Sequence, residues 1–169
     1  CFSEDLTYYL ALGQRTGGAP NTISRSTNGM TFTGLGQPVF TGGSGRGNDC
    51  HYDNGTFVLV GSGASSPHYF ATSLDGVTYT PRGTTPFTTA AHSVVYSRYF
   101  VKWLACGEGS ANFAQSVNNG VTWTSFGGTV FTTRCNDIYG YVRLSQVNTK
   151  RSIHEQERVR RETAEKYAQ

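Results

Sequence analysis

The acidic side chains are the residues best suited to catalysis in this 169-residue chain. A glycosidase needs two carboxylates that face one cleft, about 5–10 Å apart. The candidates in the glycine-rich body of the chain are Asp49, Asp53, Asp75, Glu108 and Asp137. Asp49 and Asp137 both follow an asparagine, which indicates a repeated structural role, and Asp75 belongs to a predicted turn. The four histidines are scattered, without a nucleophile or metal-ligand context. We therefore expect no catalysis, no metal and no other cofactor.

The cysteines predict disulfide chemistry instead. They are Cys1, Cys50, Cys106 and Cys135, with no CxxC pair and no Cys/His cluster at zinc spacing. An even number of cysteines in a chain with few charges is typical of an oxidising compartment, and three pairings of four cysteines are possible. We expect at least one disulfide among Cys1, Cys50 and Cys135. Cys106 is expected to be buried, because it stands where the sister strands carry Leu or Val.

A possible sugar-modification site and possible sugar-binding residues point to the same environment. Asn54-Gly55-Thr56 is an N-glycosylation sequon in a predicted exposed turn. Together with the cysteines, it predicts an extracellular or cell-surface location. Aromatic side chains such as Tyr69, Tyr99 and Trp103 are candidates for stacking on a glycan.

Charge and hydropathy exclude two classes of partner. Residues 1–144 carry 8 Lys/Arg and 7 Asp/Glu, a net +1, and residues 145–169 carry 6 and 4, a net +2, which together give +3. The body has no basic stripe for phosphates, so we expect no nucleic-acid binding. No apolar run approaches the ~18–20 residues of a membrane-spanning helix.

Three signatures recur along the body and define an internal repeat. A short apolar strand ends in glycine three times, at residues 10–13, 58–61 and 104–107. A turn signature of Ser, Asn or Asp, Gly and an aromatic residue follows each strand: Ser26, Asn28, Gly29 and Phe32; Ser73, Asp75, Gly76 and Tyr79; Ser116, Asn118, Gly120 and Trp123. A Phe-Thr signature then ends each unit, at Phe40, Phe87 and Phe131.

Each unit is predicted to be a small antiparallel sheet. Asn28-Gly29, Asp75-Gly76 and Asn119-Gly120 are strong signals for two-residue hairpins, in which both residues take positive φ. The aromatic residues after the turns are expected to be equivalent buried positions, because hydroxyl and aromatic residues alternate there. About four strands in roughly 45 residues is the size of one propeller blade. We therefore predict an all-β domain, residues 1–144, of three consecutive four-stranded antiparallel units at about 6–54, 55–99 and 100–142.

The turns resemble a known sequence motif. The segment from Ser116 to Trp123 is similar to the Asp-box of sialidase-like (BNR) β-propellers, Ser-x-Asp-x-Gly-x-Thr-Trp, with Asn118 in place of the aspartate. The other two turns are one residue shorter, and only Asp75 keeps the acid. The resemblance implies propeller blades in which the Ser and Asp side chains bond to the turn backbone. It does not imply activity, since the arginine cluster and the Arg-Ile-Pro or Arg-Leu-Pro element of sialidases are absent.

The C-terminal segment has a different composition. Residues 145–169 hold 10 charges and no glycine, and Ser152 with Glu155 forms a capping box. This pattern predicts a charged helix or tail. It is either solvated or docked on a neighbouring subunit.

The predicted units are incomplete at both ends of the body, because the first begins abruptly at Cys1 and a fourth stops after Val142. Three blades do not close a propeller of about 4–8 blades. We therefore expect a non-enzymatic extracellular structural or adhesive protein that self-associates into a filament or surface assembly through its incomplete blades and terminal segments. Its expected partners are copies of itself, with glycans as a second class. The alternative is a carbohydrate-binding, lectin-like propeller module, and a glycoside hydrolase fragment is less favoured.

Overall fold

The predicted all-β class is confirmed in the part of the chain that the structure describes. The structure, a computed structural model, describes residues 1–3, 5–14, 21–36, 39–41, 44–63, 68–127 and 130–140. These residues form twelve strands in two antiparallel sheets and contain no helix. Consequently, none of the described residues belongs to a helix able to cross a membrane. The predicted helix or tail at 145–169 lies outside the described residues.

The strands pair in chain order within three groups of four, which we call repeats 1, 2 and 3. Repeat 1 is the first sheet, with strands β1 Phe2–Ser3, β2 Tyr8–Leu12, β3 Ile23–Ser26 and β4 Thr33–Gly34. Repeat 2 has strands β5 Arg46–Asp53, β6 Thr56–Ser62, β7 Phe70–Ser73 and β8 Thr80–Pro81. Repeat 3 has strands β9 Ala90–Ser97, β10 Lys102–Glu108, β11 Phe113–Ser116 and β12 Thr124–Ser125. Repeats 2 and 3 form one eight-stranded sheet, joined by the pair Ser62–Ala90.

The hydrophobic core lies between successive repeats. Every residue of β6 is buried, as expected for a strand covered on both faces. Its side chains alternate, so that Phe57 and Leu59 join a cluster with repeat 1, whereas Val58 and Val60 join a cluster with repeat 3. Repeat 2 therefore contributes to both clusters, and Trp103 of repeat 3 is fully buried in the second.

Equivalent backbone pairs link the end of each repeat's second strand to the residues that follow that repeat. These pairs are Gln14–Arg46, Ser62–Ala90 and Glu108–Arg134. The Gly47 N–H donates to the Gly13 carbonyl at 3.1 Å, and the Cys135 N–H donates to the Gly107 carbonyl at the same distance. Residues 134–135 thus occupy, against repeat 3, the position that Arg46 and Gly47 occupy against repeat 1.

Candidate functional site

The three predicted turn signatures adopt one hydrogen-bonding pattern. In each, the serine Oγ accepts a bond from the turn glycine N–H: Gly29 to Ser26 at 2.9 Å, Gly76 to Ser73 at 2.8 Å, Gly120 to Ser116 at 3.0 Å. The serine hydroxyl donates to Oδ1 of the Asn or Asp two residues later, at 2.9–3.0 Å. That oxygen also accepts backbone N–H groups further along, such as that of Thr122 on Asn118 at 2.9 Å.

The loops that contain these turns are longer than predicted. They span residues 27–32, 74–79 and 117–123, so they are not two-residue hairpins. In repeats 1 and 2 only the glycine has a positive φ, at 72° and 62°, whereas in repeat 3 both Asn119 and Gly120 do. The physical reason is that side-chain oxygens accept bonds from the backbone N–H groups of the wide loop. A two-residue turn would instead have paired those N–H groups across the two strands.

Asp75 is the one charged member of the three Asn/Asp positions. The backbone N–H groups of Thr78 and Val77 bond to its carboxylate and lower its pKa below the usual value. Asn28 and Asn118 provide the same acceptor without a charge. The turn of repeat 2 is also tied to repeat 1, because the Tyr8 hydroxyl donates to the Asp75 carbonyl.

The aromatic residues of the turns pack on the preceding repeat. Trp123 is 6% exposed and stacks on Phe70 of repeat 2 with ring centroids 4.4 Å apart. Tyr79 is 7% exposed and joins the cluster with Tyr8 of repeat 1. Both rings also donate a hydrogen bond at 3.0 Å to their own turn glycine's carbonyl. The expected burial is wrong for Phe32, which is 43% exposed, because among the described residues no repeat lies on that side of it.

In a second contact, a phenylalanine of one repeat packs on the following repeat. Phe40 and Phe87 are fully buried, each against a glycine of the following repeat. A Cβ at Gly61 would lie 2.7 Å from the Phe40 ring, and one at Gly107 would lie 2.9 Å from the Phe87 ring. The third member, Phe131, is 43% exposed. The Phe-Thr and glycine signatures form this contact, which their order in the sequence does not by itself reveal.

Among the described residues, nothing covers the outer sides of repeats 1 and 3. The front flank is the exposed side of repeat 1, with Gly13 and Phe32; a Cβ at Gly13 would meet no described atom within 4 Å. The rear flank is the exposed side of repeat 3, with Phe113, Phe126 and Phe131; the rings of Phe126 and Phe131 both lie 5.8 Å from that of Phe113. Phe113 begins β11, as Phe70 begins β7, but it is only half-buried.

A polar cleft of about 520 Å³ lies where β6 and β9 meet. Its lining includes Arg46, Tyr69, His92 and Glu108. The His92 Nε2 and Glu108 Oε2 atoms are 3.4 Å apart, and the Tyr69 hydroxyl donates to the Thr88 carbonyl at 3.1 Å. The cleft contains both hydrogen-bond donors and hydrogen-bond acceptors. Several of these groups already bond to other groups of the protein.

The predicted sugar-stacking residues are mostly inaccessible. Trp103 is fully buried and Tyr69 nearly so, and both belong to the core cluster between repeats 2 and 3. The prediction is therefore wrong for these two side chains. Tyr99 is 87% exposed, at the hairpin between β9 and β10, where it contacts Phe100.

The candidate carboxylates bond to other side chains of the fold. Asp49 and Asp137 share one partner, and Asp53 has a different one. The Ser93 Oγ lies 2.8 Å from Asp49 Oδ2 and 2.7 Å from Asp137 Oδ1, so its single proton bonds to one of the two carboxylates at a time. Asp53 accepts from Arg98 at 2.8 Å. Within the described ranges, no group of three His, Cys, Asp or Glu side chains could hold a metal ion.

The cysteines and the sequon have defined positions. Cys106 is fully buried, as expected; Cys50 and Cys135 are buried and Cys1 is exposed, all four as thiols. Asn54 is exposed, forms a two-residue turn with Gly55 and donates to Asn119 Oδ1 at 2.9 Å. A disulfide and glycosylation at Asn54 both stay predictions.

A scan against protein-family models and searches of the curated proteins and of the solved structures find no match for this chain.

Proposed function

We propose that this protein is a non-enzymatic structural or adhesive protein that assembles with copies of itself, the front flank of one copy against the rear flank of the next. In this proposal the three repeats are propeller-type blades, and the protein acts at the cell surface or outside the cell. One observation carries the proposal: the two contacts between successive repeats each occur twice within the chain and are open at both flanks.

The direction of these contacts makes the flanks complementary. At each internal junction the earlier repeat supplies a phenylalanine and an aromatic-binding surface, while the later repeat supplies a glycine and a turn ring. The rear flank has the phenylalanine and the surface, Phe131 and Phe113, and the front flank has Gly13 and Phe32. A second copy can therefore repeat the internal junction, which makes the contact head-to-tail rather than symmetric.

The residues of the two flanks favour association without a large desolvation penalty. Phe32, Phe113, Phe126 and Phe131 are all uncharged, so covering these four rings does not itself bury an ion. Covering them contributes about 25 cal/mol per Å² of apolar surface, and each aromatic pair adds about 0.5–1.5 kcal/mol. Part of this gain offsets the entropy that association costs, so we expect assembly that depends on concentration.

Sedimentation velocity of the full chain over a range of concentrations tests the proposal. We expect masses above the monomer for the wild-type chain, and monomers for Phe32→Ser and for Phe131→Ser. Tyr99→Ser is the matched control, because it removes an aromatic ring that is 87% exposed and lies on neither flank. A wild-type chain that stays monomeric, or three variants that behave alike, would contradict the proposal.

Mixing the two flank variants gives a sharper result. Phe32→Ser keeps its rear flank intact, and Phe131→Ser keeps its front flank intact. We therefore expect the mixture to form pairs and nothing larger, since only one junction per pair is complete. An assembly of any other size, or none, would exclude a head-to-tail contact through these rings.

Carbohydrate binding is the second candidate, favoured by the polar cleft between β6 and β9. Arg46, His92 and Glu108 line it and supply donors and acceptors that suit sugar hydroxyls. Screening on a glycan array, followed by calorimetry with an Arg46→Ala variant, tests this candidate. Binding that the substitution leaves unchanged would exclude this cleft as the site.

A further inference from the structure

Cys106 and Cys135 lie side by side in the structure. The backbone at Cys135 is held against β10 by the 3.1 Å hydrogen bond to the Gly107 carbonyl. The Cys106 thiol lies 3.4 Å from the Cys135 carbonyl oxygen. Both residues are buried, Cys106 in repeat 3 and Cys135 just after it, and the other two cysteines of the chain, Cys1 and Cys50, belong to repeats 1 and 2.

The repeat gives an independent measure of how close two side chains come at these positions. Leu12 and Gly47 are the equivalent residues of the first junction, and a Cβ built on Gly47 would lie 2.8 Å from the Leu12 Cβ. The two Cβ atoms of a disulfide are about 3.5–4.5 Å apart. Side chains at this pair of positions are therefore close enough for a disulfide once the two backbones move apart by roughly 0.7 Å.

We propose that Cys106 and Cys135 form a disulfide that fastens the residues after repeat 3 to strand β10. This selects one pairing from those that the sequence left open, and it does not depend on self-association. In the reaction the two thiols are oxidised to one S–S bond and lose two protons and two electrons. A disulfide oxidant such as glutathione disulfide accepts them and leaves as two thiols.

The environment of the pair indicates when the bond forms. Burial raises the pKa of the Cys106 thiol, and contact with the Cys135 thiol raises it further. Because the thiolate is the attacking species, oxidation is slow once the pair is buried in the folded chain. We expect the bond to form during folding, while both thiols still reach the oxidant.

Peptide mapping of the refolded full chain tests the proposal directly. Trypsin places the four cysteines in four different peptides, residues 1–15, 47–82, 103–134 and 135–143. The chain is refolded from the reduced, unfolded state with a mixture of reduced and oxidised glutathione, and free thiols are then alkylated. We expect 103–134 to be linked to 135–143. Alkylated thiols on both peptides, or a link from either to another peptide, would overturn the proposal.

A stability measurement separates a disulfide from a pair of packed thiols. We expect reductant to lower the melting temperature of the oxidised wild-type chain by several degrees and to leave Cys106→Ser unaffected. Cys50→Ser is the control, because it removes a buried thiol and keeps the proposed bond. If reductant affects the wild type and Cys106→Ser equally, the pair is not bonded.

Discussion

Alanine substitutions at equivalent glycines measure directly whether the front flank is open. At Gly61 a new Cβ would press on the Arg46 carbonyl oxygen and lie 2.7 Å from the Phe40 ring. At Gly107 it would press on the Ala90 carbonyl oxygen and lie 2.9 Å from the Phe87 ring. Contacts this short force the backbone or the ring to move.

The expected magnitudes follow from these contacts. Overpacking of a core costs about 1–3 kcal/mol, and we expect Gly61→Ala and Gly107→Ala near the upper end because a backbone oxygen is involved. Gly13→Ala meets no described atom within 4 Å. It should be neutral or add up to about 0.5 kcal/mol, since alanine loses less conformational entropy on folding than glycine.

Urea unfolding, followed by the fluorescence of Trp103 and Trp123, gives the three free energies of unfolding at a concentration where the chain is monomeric. The same Gly13→Ala variant should weaken assembly, because its methyl group occupies the place that Phe131 of another copy would take. If Gly13→Ala destabilises the monomer as much as Gly61→Ala does, Gly13 is already covered, and the reasoning about the front flank is wrong.

Two further predictions concern the turns. The lowered pKa of Asp75 means that the stability it provides is present above the unfolded-state pKa, near 3.8, and is lost as the pH falls through the folded-state pKa. Asp75→Asn, which copies Asn28 and Asn118, should therefore keep the fold at neutral pH and flatten the loss of stability below pH 4, measured by urea unfolding at several pH values; an unchanged acid profile would contradict this. Trp123→Ala should cost about 3–5 kcal/mol, because it empties the site against Phe70. Trp123→Phe keeps a ring against Phe70 and should cost less, about 1 kcal/mol for the lost bond to the Gly120 carbonyl plus the cost of the space that the smaller ring leaves; an equal cost for both would show that stacking contributes little.

Local patterns in the sequence were enough to predict the strands and the residues of the turns. The three continuous apolar runs suggest strands buried on both faces, which is correct for β6, whereas β2 and β10 are partly exposed. The turn geometry was not predictable in the same way, because Asn28-Gly29 carries the signal of a two-residue hairpin. Whether this pair forms a two-residue turn depends on which backbone N–H groups donate to the Ser26 hydroxyl oxygen. Asn54-Gly55 has the same signal and does form the two-residue turn.

The exposure of Phe32 shows what a single repeat cannot reveal. Its neighbours in sequence are like those of Tyr79 and Trp123, so periodicity assigns all three to the core. Burial, however, comes from the preceding repeat, which is a property of the array and not of the turn. The same reasoning applies to Phe131, which has the signature of Phe40 but is 43% exposed, since no following repeat lies against it among the described residues.

Because each junction uses the same two contacts, the number of repeats in a closed assembly is restricted. Identical junctions impose a nearly constant rotation from one repeat to the next. An array with a constant rotation either closes into a circle or forms a helix. A circular array built from copies of the three described repeats must contain a multiple of three. Within the range of about four to eight blades, only six satisfies this condition. Two copies then complete a full turn, whereas a rotation that does not close produces a helical filament whose pitch depends on that angle and on the rise per repeat.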